Sequence, residues 1–148
     1  MADDKMHLSP DEKIEGTKGT VLLVEDEESA VLLLGRALAQ EGYAVLTAGD
    51  GKEGLRLSLV KHPDVIIADL LLPKMSGIEM IAEIRKNDWG KNAEIIILTN
   101  VSDVKTMEEA MSHDTFFYMV KGDSSMADII TKVNSRMKAG KAVAKAPK

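Results

Sequence analysis

Residues 63–77 read PDVIIADLLLPKMSG. Within this stretch, 65–68 (VIIA) is a short, mostly β-branched run with no polar alternation, the pattern of a parallel strand covered on both faces. Asp69 then interrupts residues that are otherwise apolar from Val65 to Leu72. A lone Asp is commonly a helix cap or a turn residue. An unpaired carboxylate in so apolar a stretch is costly, however, and that favours a paired, functional group at Asp69.

Comparable runs lie on either side, at 21–24, 44–47, 95–98 and 116–120. The run at 44–47 is the least apolar and suits the edge of a sheet. Between the runs, apolar residues recur at helical spacing. Ala30, Leu33, Leu34, Ala37 and Leu38 form one stripe, with Gly42 as its C-terminal stop. Asp50 and Glu53 have the spacing of a capping box opening a second helix through Leu55 and Leu59. Ile78, Ile81, Ile84 and Arg85 outline a third helix. Val104, Met107 and Met111 outline a fourth, with Ser102 as its cap, and Met126, Ile129, Ile130, Val133 and Met137 a fifth. Parallel strands need crossovers of about a dozen residues or more, and these are right-handed. The alternation therefore predicts a doubly wound α/β domain, an open parallel sheet with helices on both faces.

In such folds ligands bind beyond the carboxyl ends of the strands. Glu25 and Asp26 follow the first run, Asp69 the third, Thr99 the fourth and Lys121 the fifth. Three carboxylates brought to one edge repel one another unless a cation neutralises them. Oxygen-only ligands favour a hard ion such as Mg²⁺. A carboxylate so screened can attack a phosphoryl group, and the ammonium of Lys121 and hydroxyl of Thr99 are suitable donors to the charged oxygens. Taken singly the residues are weaker signals. Glu25–Glu28 also reads as an acidic helix start, Lys121 as a solvated lysine, Thr99 as a strand-end residue and Tyr118 as packing.

Composition narrows the classes. The chain has 148 residues, long enough for one ordinary domain with a substantial core. Aromatics are only 3%, so that core must be aliphatic. No cysteine is present, which excludes disulfides, thiolate metal sites and cysteine nucleophiles and fits a reducing compartment. A net charge of −5 disfavours a broad nucleic-acid surface. No apolar run is long enough to span a bilayer, and the first twenty residues do not resemble a signal peptide, so a cytoplasmic protein without membrane or nucleic-acid partners is expected. Residues 1–19 read as a disordered leader, 20–138 as the domain and 139–148 as a flexible Ala/Lys tail. His7, His62 and His113 lack metal-ligand spacing and read as surface histidines. Trp89 falls at the edge opposite the carboxylates.

The stretches VLLVEDEE (21–28), PDVIIADLLLPKMSG (63–77), IIILTN (95–100) and FFYMVKG (116–122) together resemble the response-regulator receiver domain, over roughly residues 20–137. The resemblance implies a flavodoxin-like (βα)5 fold with strand order 2-1-3-4-5. It implies that Asp69 receives a phosphoryl group from a histidine kinase or histidine phosphotransfer protein. Asp26, Asp69 and the backbone carbonyl of Leu71 would ligate Mg²⁺, with Glu25 acting through water. Thr99 and Lys121 would hold phosphoryl oxygens, and Tyr118 matches a switch aromatic. Phosphorylation would draw Thr99 inward and bias the fourth helix, fifth strand and fifth helix toward a downstream partner. The protein would be a monomer or a phosphorylation-dependent dimer, and a stand-alone switch rather than a turnover enzyme.

Several residues depart from the family pattern. Glu25 replaces a commoner Asp, Gly122 stands where a proline usual in the family follows the lysine, and Asp114 replaces a usual Gly and predicts a strained turn. Leu71 and Val101, each two residues beyond a key side chain, are apolar and predict slow self-dephosphorylation. Two rival readings are a degenerate receiver acting as a constitutive interaction module and a phosphatase with an aspartyl-phosphate intermediate.

Overall fold

The computed structural model describes residues 17–115 and 117–145. Five strands, β1 (Thr20–Val24), β2 (Ala44–Ala48), β3 (Val65–Ala68), β4 (Ile95–Thr99) and β5 (Phe117–Val120), form one sheet in the order β2-β1-β3-β4-β5. Every pairing is parallel. Helices α1 (Glu28–Gln40), α2 (Gly51–Lys61), α3 (Gly77–Lys86), α4 (Val104–Met111) and α5 (Met126–Lys145) alternate with them. This is the doubly wound sheet expected from the alternation of runs, in the flavodoxin-like strand order that the resemblance implies, and β2 is indeed an edge strand.

The two faces of the sheet bury separate apolar layers. Leu22, Val24, Ile66, Ala68, Ile95 and Ile97 point to one side and pack with Leu57, Met80, Ile81 and Ile84 of α2 and α3. Val21, Leu23, Val65, Ile67, Ile96 and Leu98 point to the other and meet Leu34 and Leu38 of α1 and Ile129, Val133 and Met137 of α5. Alternate residues of one strand thus serve opposite layers, which explains why β1, β3 and β4 carry no polar residue in their interiors.

Several local readings are corrected. Leu33 is 62% exposed and leaves the α1 stripe. Leu57, not Leu55 or Leu59, is the fully buried leucine of α2. Asp50 caps α2 by accepting the Glu53 N–H at 2.8 Å, but the Glu53 carboxylate turns to Arg56, so the reciprocal half of the box is missing. A complete capping box, Ser76–Glu79, opens α3 instead, and Ser125 and Asp128 exchange the same pair of bonds at the start of α5. Asp103 rather than Ser102 caps α4. In α4 only Ala110 is buried, leaving Val104 69% and Met111 40% exposed. Gly42, just past α1, takes φ 108°, a conformation that suits glycine.

At the amino end, the Lys18 N–H donates to the Gly42 carbonyl at 2.8 Å, and the Lys18 ammonium pairs with Glu41, so residues 17–19 lie against the α1–β2 corner. The remainder of the proposed leader, His7 included, and Phe116 lie outside the described residues. α5 runs on to Lys145, into the stretch set apart as a tail, of which 146–148 lie outside the described residues. Asp114 holds φ 60°, as its place in a glycine-type turn predicts. His62 stacks on Trp89 with ring centres 4.5 Å apart, so it is half-buried packing rather than a free surface histidine. No helix among the described residues is long and apolar enough to cross a membrane.

Candidate functional site at the carboxyl edge of the sheet

Strand register decides which side chains meet. Val24 of β1 lies level with Ala68 of β3, so the residues that follow, Glu25 and Asp69, emerge side by side. Backbone bonds hold both exits: Glu25 N–H donates to Ala48 O at 2.9 Å and Asp69 N–H to Val24 O at 3.1 Å. Thr99 lies level with Val120, which brings Lys121 beside it across β4 and β5.

Lys121 bridges two carboxylates, its Nζ 2.6 Å from Glu25 Oε1 and 2.9 Å from Asp69 Oδ2. Thr99, fully buried, donates its hydroxyl to Asp69 Oδ1 at 2.6 Å. The Leu71 N–H donates to the same oxygen at 3.1 Å. Glu25 Oε2 accepts the Glu27 N–H at 3.1 Å. Asp69 and Glu25 are 7% and 5% exposed, and these bonds are what make such burial of charge tolerable. Asp26 completes the set from an exposed position, and one carboxylate oxygen from each of Glu25, Asp26 and Asp69 lies within 4.8 Å of the others.

Burial works to lower the Lys121 ammonium, but hydrogen bonds and charge from Glu25 and Asp69 outweigh it and hold the group above its ordinary value. One ammonium against three carboxylates leaves negative charge uncompensated. An all-oxygen set of that kind fits a hard divalent cation. A cleft of about 650 Å³ opens beside the acidic pair, walled by Ser29, Val31 and Leu32 of α1 and by Thr47, Ala48 and Gly49 at the end of β2.

A hydrogen-bonded path leaves the site through β4. Thr99 Oγ1 accepts the Val101 N–H at 3.4 Å, and the Tyr118 hydroxyl donates to Val101 O at 2.6 Å. Burial raises the Tyr118 phenol above its ordinary value, with the charges of Asp103 and Asp69 adding to the effect. Thr99 is thus bonded at once to Asp69 and to the backbone of the β4–α4 connection.

All five predicted polar residues, Glu25, Asp26, Asp69, Thr99 and Lys121, therefore meet at one edge, with Tyr118 linked through Val101. Leu71 is 65% exposed beside Asp69, whereas Val101 is half-buried. Sequence reasoning missed Gly77. A Cβ at that position would stand 2.2 Å from the Asp69 carbonyl oxygen, so the start of α3 presses against the backbone of the central carboxylate. The close approach is a tertiary contact, and its only trace in the sequence is a glycine opening a helix after Ser76. Gly122 lies in a 3-10 turn, Lys121–Asp123, and no peptide bond among the described residues is cis.

The family model described as response regulator receiver domain matches residues 21–134. The chain is 46% identical over 66 residues to the alkaline phosphatase synthesis transcriptional regulatory protein PhoP of Bacillus subtilis, a match covering 45% of this chain and 28% of that protein. Its fold superposes on a response regulator receiver domain from Clostridium thermocellum with TM-score 0.76 and 29% identity, covering 84% of this chain and 98% of that one. It superposes equally on the receiver domain of sensor histidine kinase PA1611 from Pseudomonas aeruginosa, whose structure holds a magnesium ion in the active-site cleft, with TM-score 0.75 and 25% identity over 81% of this chain and 98% of that one. The chain spans 22% to 40% of the length of the first transcriptional regulators it matches. Its sheet order, the carboxylates at its edge and the match over nearly all of the folded region make it a member of the response-regulator receiver domain family, the phosphoacceptor switches of two-component signalling.

Proposed function

We propose that Asp69 of this chain is the acceptor, taking a phosphoryl group from a phosphohistidine on a kinase or phosphotransfer partner in the cytoplasm. The phosphorus–nitrogen bond of the donor breaks as a bond forms to an Asp69 carboxylate oxygen, and the imidazole leaves with the electron pair. The observation that carries this reading is the convergence on Asp69 of a buried hydroxyl and an ammonium, at 2.6 and 2.9 Å. As the group arrives, Thr99 Oγ1 and Lys121 Nζ exchange the carboxylate for its equatorial oxygens, where charge is greatest during transfer.

Asp26, Asp69 and the Leu71 carbonyl would hold Mg²⁺, with Glu25 acting through water. The ion would neutralise the carboxylates and so let one of them meet a phosphoryl dianion. Supporting this are the oxygen-only donor set and the magnesium in the Pseudomonas aeruginosa relative. The Asp69–Thr99–Val101–Tyr118 path would then report the bound group to α4, β5 and α5, the proposed face for a downstream protein. Incubation with Mg²⁺ and a small acyl-phosphate donor is expected to add one phosphoryl mass to the intact chain and none to Asp69→Asn. An unmodified native chain, or equal labelling of the variant, would sink the assignment. Steady turnover of a phosphomonoester would point instead to a phosphatase.

A further inference from the structure

The candidate site accounts for one end of the sheet. At the other end, Arg85 near the C-terminus of α3 makes four hydrogen bonds, all to backbone carbonyls. Its Nη1 donates to Gly90 O at 2.6 Å and Ala93 O at 2.8 Å, both in the connection from α3 to β4. Its Nε donates to His113 O and its Nη2 to Asp114 O, each at 2.8 Å, in the connection from α4 to β5. The two connections are tied together by one planar cation.

The surroundings are shaped for this tie. Gly90 sits so close to α3 that a Cβ there would stand 1.8 Å from Ile84 O. Asp114 keeps φ 60° and presents its carbonyl to the guanidinium. Arg85 is half-buried. Burial lowers it from its ordinary value while the charges of Asp114 and Glu94 act the other way. A lysine could carry the charge but not the fork of donors.

The position of the tie along α4 gives it a consequence. α4 buries only Ala110, one residue from its end, and its first turn leaves Val104 69% exposed. Its C-terminus continues into His113 and Asp114, whose N–H groups close onto Ala110 O and Met111 O and whose carbonyls Arg85 holds. The helix is thus fastened by Arg85 at the end away from Asp69, while at the other end its first turn buries no side chain and is tied to the site through Val101, which Thr99 and the Tyr118 hydroxyl hold.

We infer that Arg85 is a positioning residue of the switch: it fixes the far end of α4, so that rearrangement at Asp69 reaches the helix through its first turn alone. The part of this inference that concerns phosphorylation rests on the receiver reading; the fastening itself does not.

Amide hydrogen exchange read by mass spectrometry on the whole chain tests both parts. Without phosphodonor, Arg85→Met and Arg85→Lys are expected to raise exchange at residues 112–115 by about tenfold or more, with residues 21–24 unchanged. Asp114→Gly, which relieves the backbone but keeps the carbonyl, is expected to leave that protection in place. Arg85→Lys serves if Arg85→Met does not fold. With Mg²⁺ and an acyl-phosphate donor, the native chain is expected to change exchange across 100–107 and not across 112–115, an arm that needs no variant. Unaltered exchange at 112–115 in a folded Arg85 variant would overturn the fastening. Equal phosphorylation-induced change at 100–107 and 112–115 in the native chain would overturn the pivot. A native chain that takes no phosphoryl group would overturn the receiver reading and, with it, the pivot, while the donor-free comparison still decides the fastening.

Discussion

Replacing Lys121 by methionine removes the one ammonium between Glu25 and Asp69 while keeping much of the side chain's bulk. Both carboxylates are nearly buried, with side-chain exposures of 5% and 8%. Deleting one partner of a buried ion pair costs about 3–5 kcal/mol. Two features reduce that figure here. Lys121 is itself 22% exposed, so part of its attraction is already screened. Neither carboxylate is orphaned, because Glu25 keeps the Glu27 N–H while Asp69 keeps the Thr99 hydroxyl and the Leu71 N–H. A loss of about 2–3 kcal/mol follows in metal-free buffer. For a domain of this size that is a fall in melting temperature of about 8–12 °C. The sign with pH is fixed by the raised value of the ammonium. The stabilisation by Lys121 is full below 10.5, the ordinary lysine value, and fades as pH rises through the higher folded value, so it is complete at neutral pH.

The assay is thermal unfolding of both chains at pH 7, in chelator and again in saturating Mg²⁺. A divalent cation at the same carboxylates would supply charge that the variant lacks, so the gap between the chains should shrink by more than half. Equal melting temperatures in chelator would refute the claim that Lys121 neutralises buried charge. A gap insensitive to Mg²⁺ would refute the sharing of these carboxylates between lysine and cation.

Three further outcomes follow from the geometry. Thr99→Ala removes a buried hydroxyl bonded to a carboxylate, and urea unfolding should show a loss of about 1.5–3 kcal/mol, with phosphoryl uptake by intact mass slowed roughly a hundredfold; native uptake would remove Thr99 from the chemistry. The apolar Leu71 and Val101 offer attacking water no orienting group, so phospho-decay should be slow in the native chain and faster by about tenfold or more in Leu71→Asn and Val101→Glu; unchanged decay would contradict the idea. The Asp103 carboxylate lies below its ordinary value because it accepts the Thr106 N–H, so its support of α4 is full above 3.8, its ordinary value, and is lost as pH falls through the lower folded value. The stability difference between the native chain and Asp103→Asn, followed by chemical denaturation from pH 6 to 2, should vanish over that acid range, and a difference that persisted at pH 2 would count against it.

Much of this was legible in the residues because it is local. Short, β-branched apolar runs such as 65–68 suit strands covered on both faces rather than helices, and helical spacing between them leaves few ways to close a parallel sheet. Asp69, Thr99 and Lys121 stood out because each follows a run directly, and the ends of parallel strands lie at one edge of the sheet. The errors also have a local cause. Leu33 and Val104 were assigned to buried stripes by spacing, yet α1 and α4 each turn part of their apolar surface outward, and spacing does not say how far a helix is rotated on the sheet. Whether Asp50 or Ser76 would complete a capping box depended on which partner Glu53 and Glu79 could reach.

Tertiary structure alone decided the rest. The bridge from Lys121 to both Glu25 and Asp69 joins residues 96 and 52 positions apart, and no pattern within a strand or helix specifies it. The same holds for Gly77 against Asp69 and for Arg85, which reads in sequence as one more residue on a helical stripe. Local periodicity determines which segments become strands and helices, because it is set by backbone geometry. Contacts between distant residues depend on register and helix rotation, which are fixed only when the two apolar layers close on the sheet.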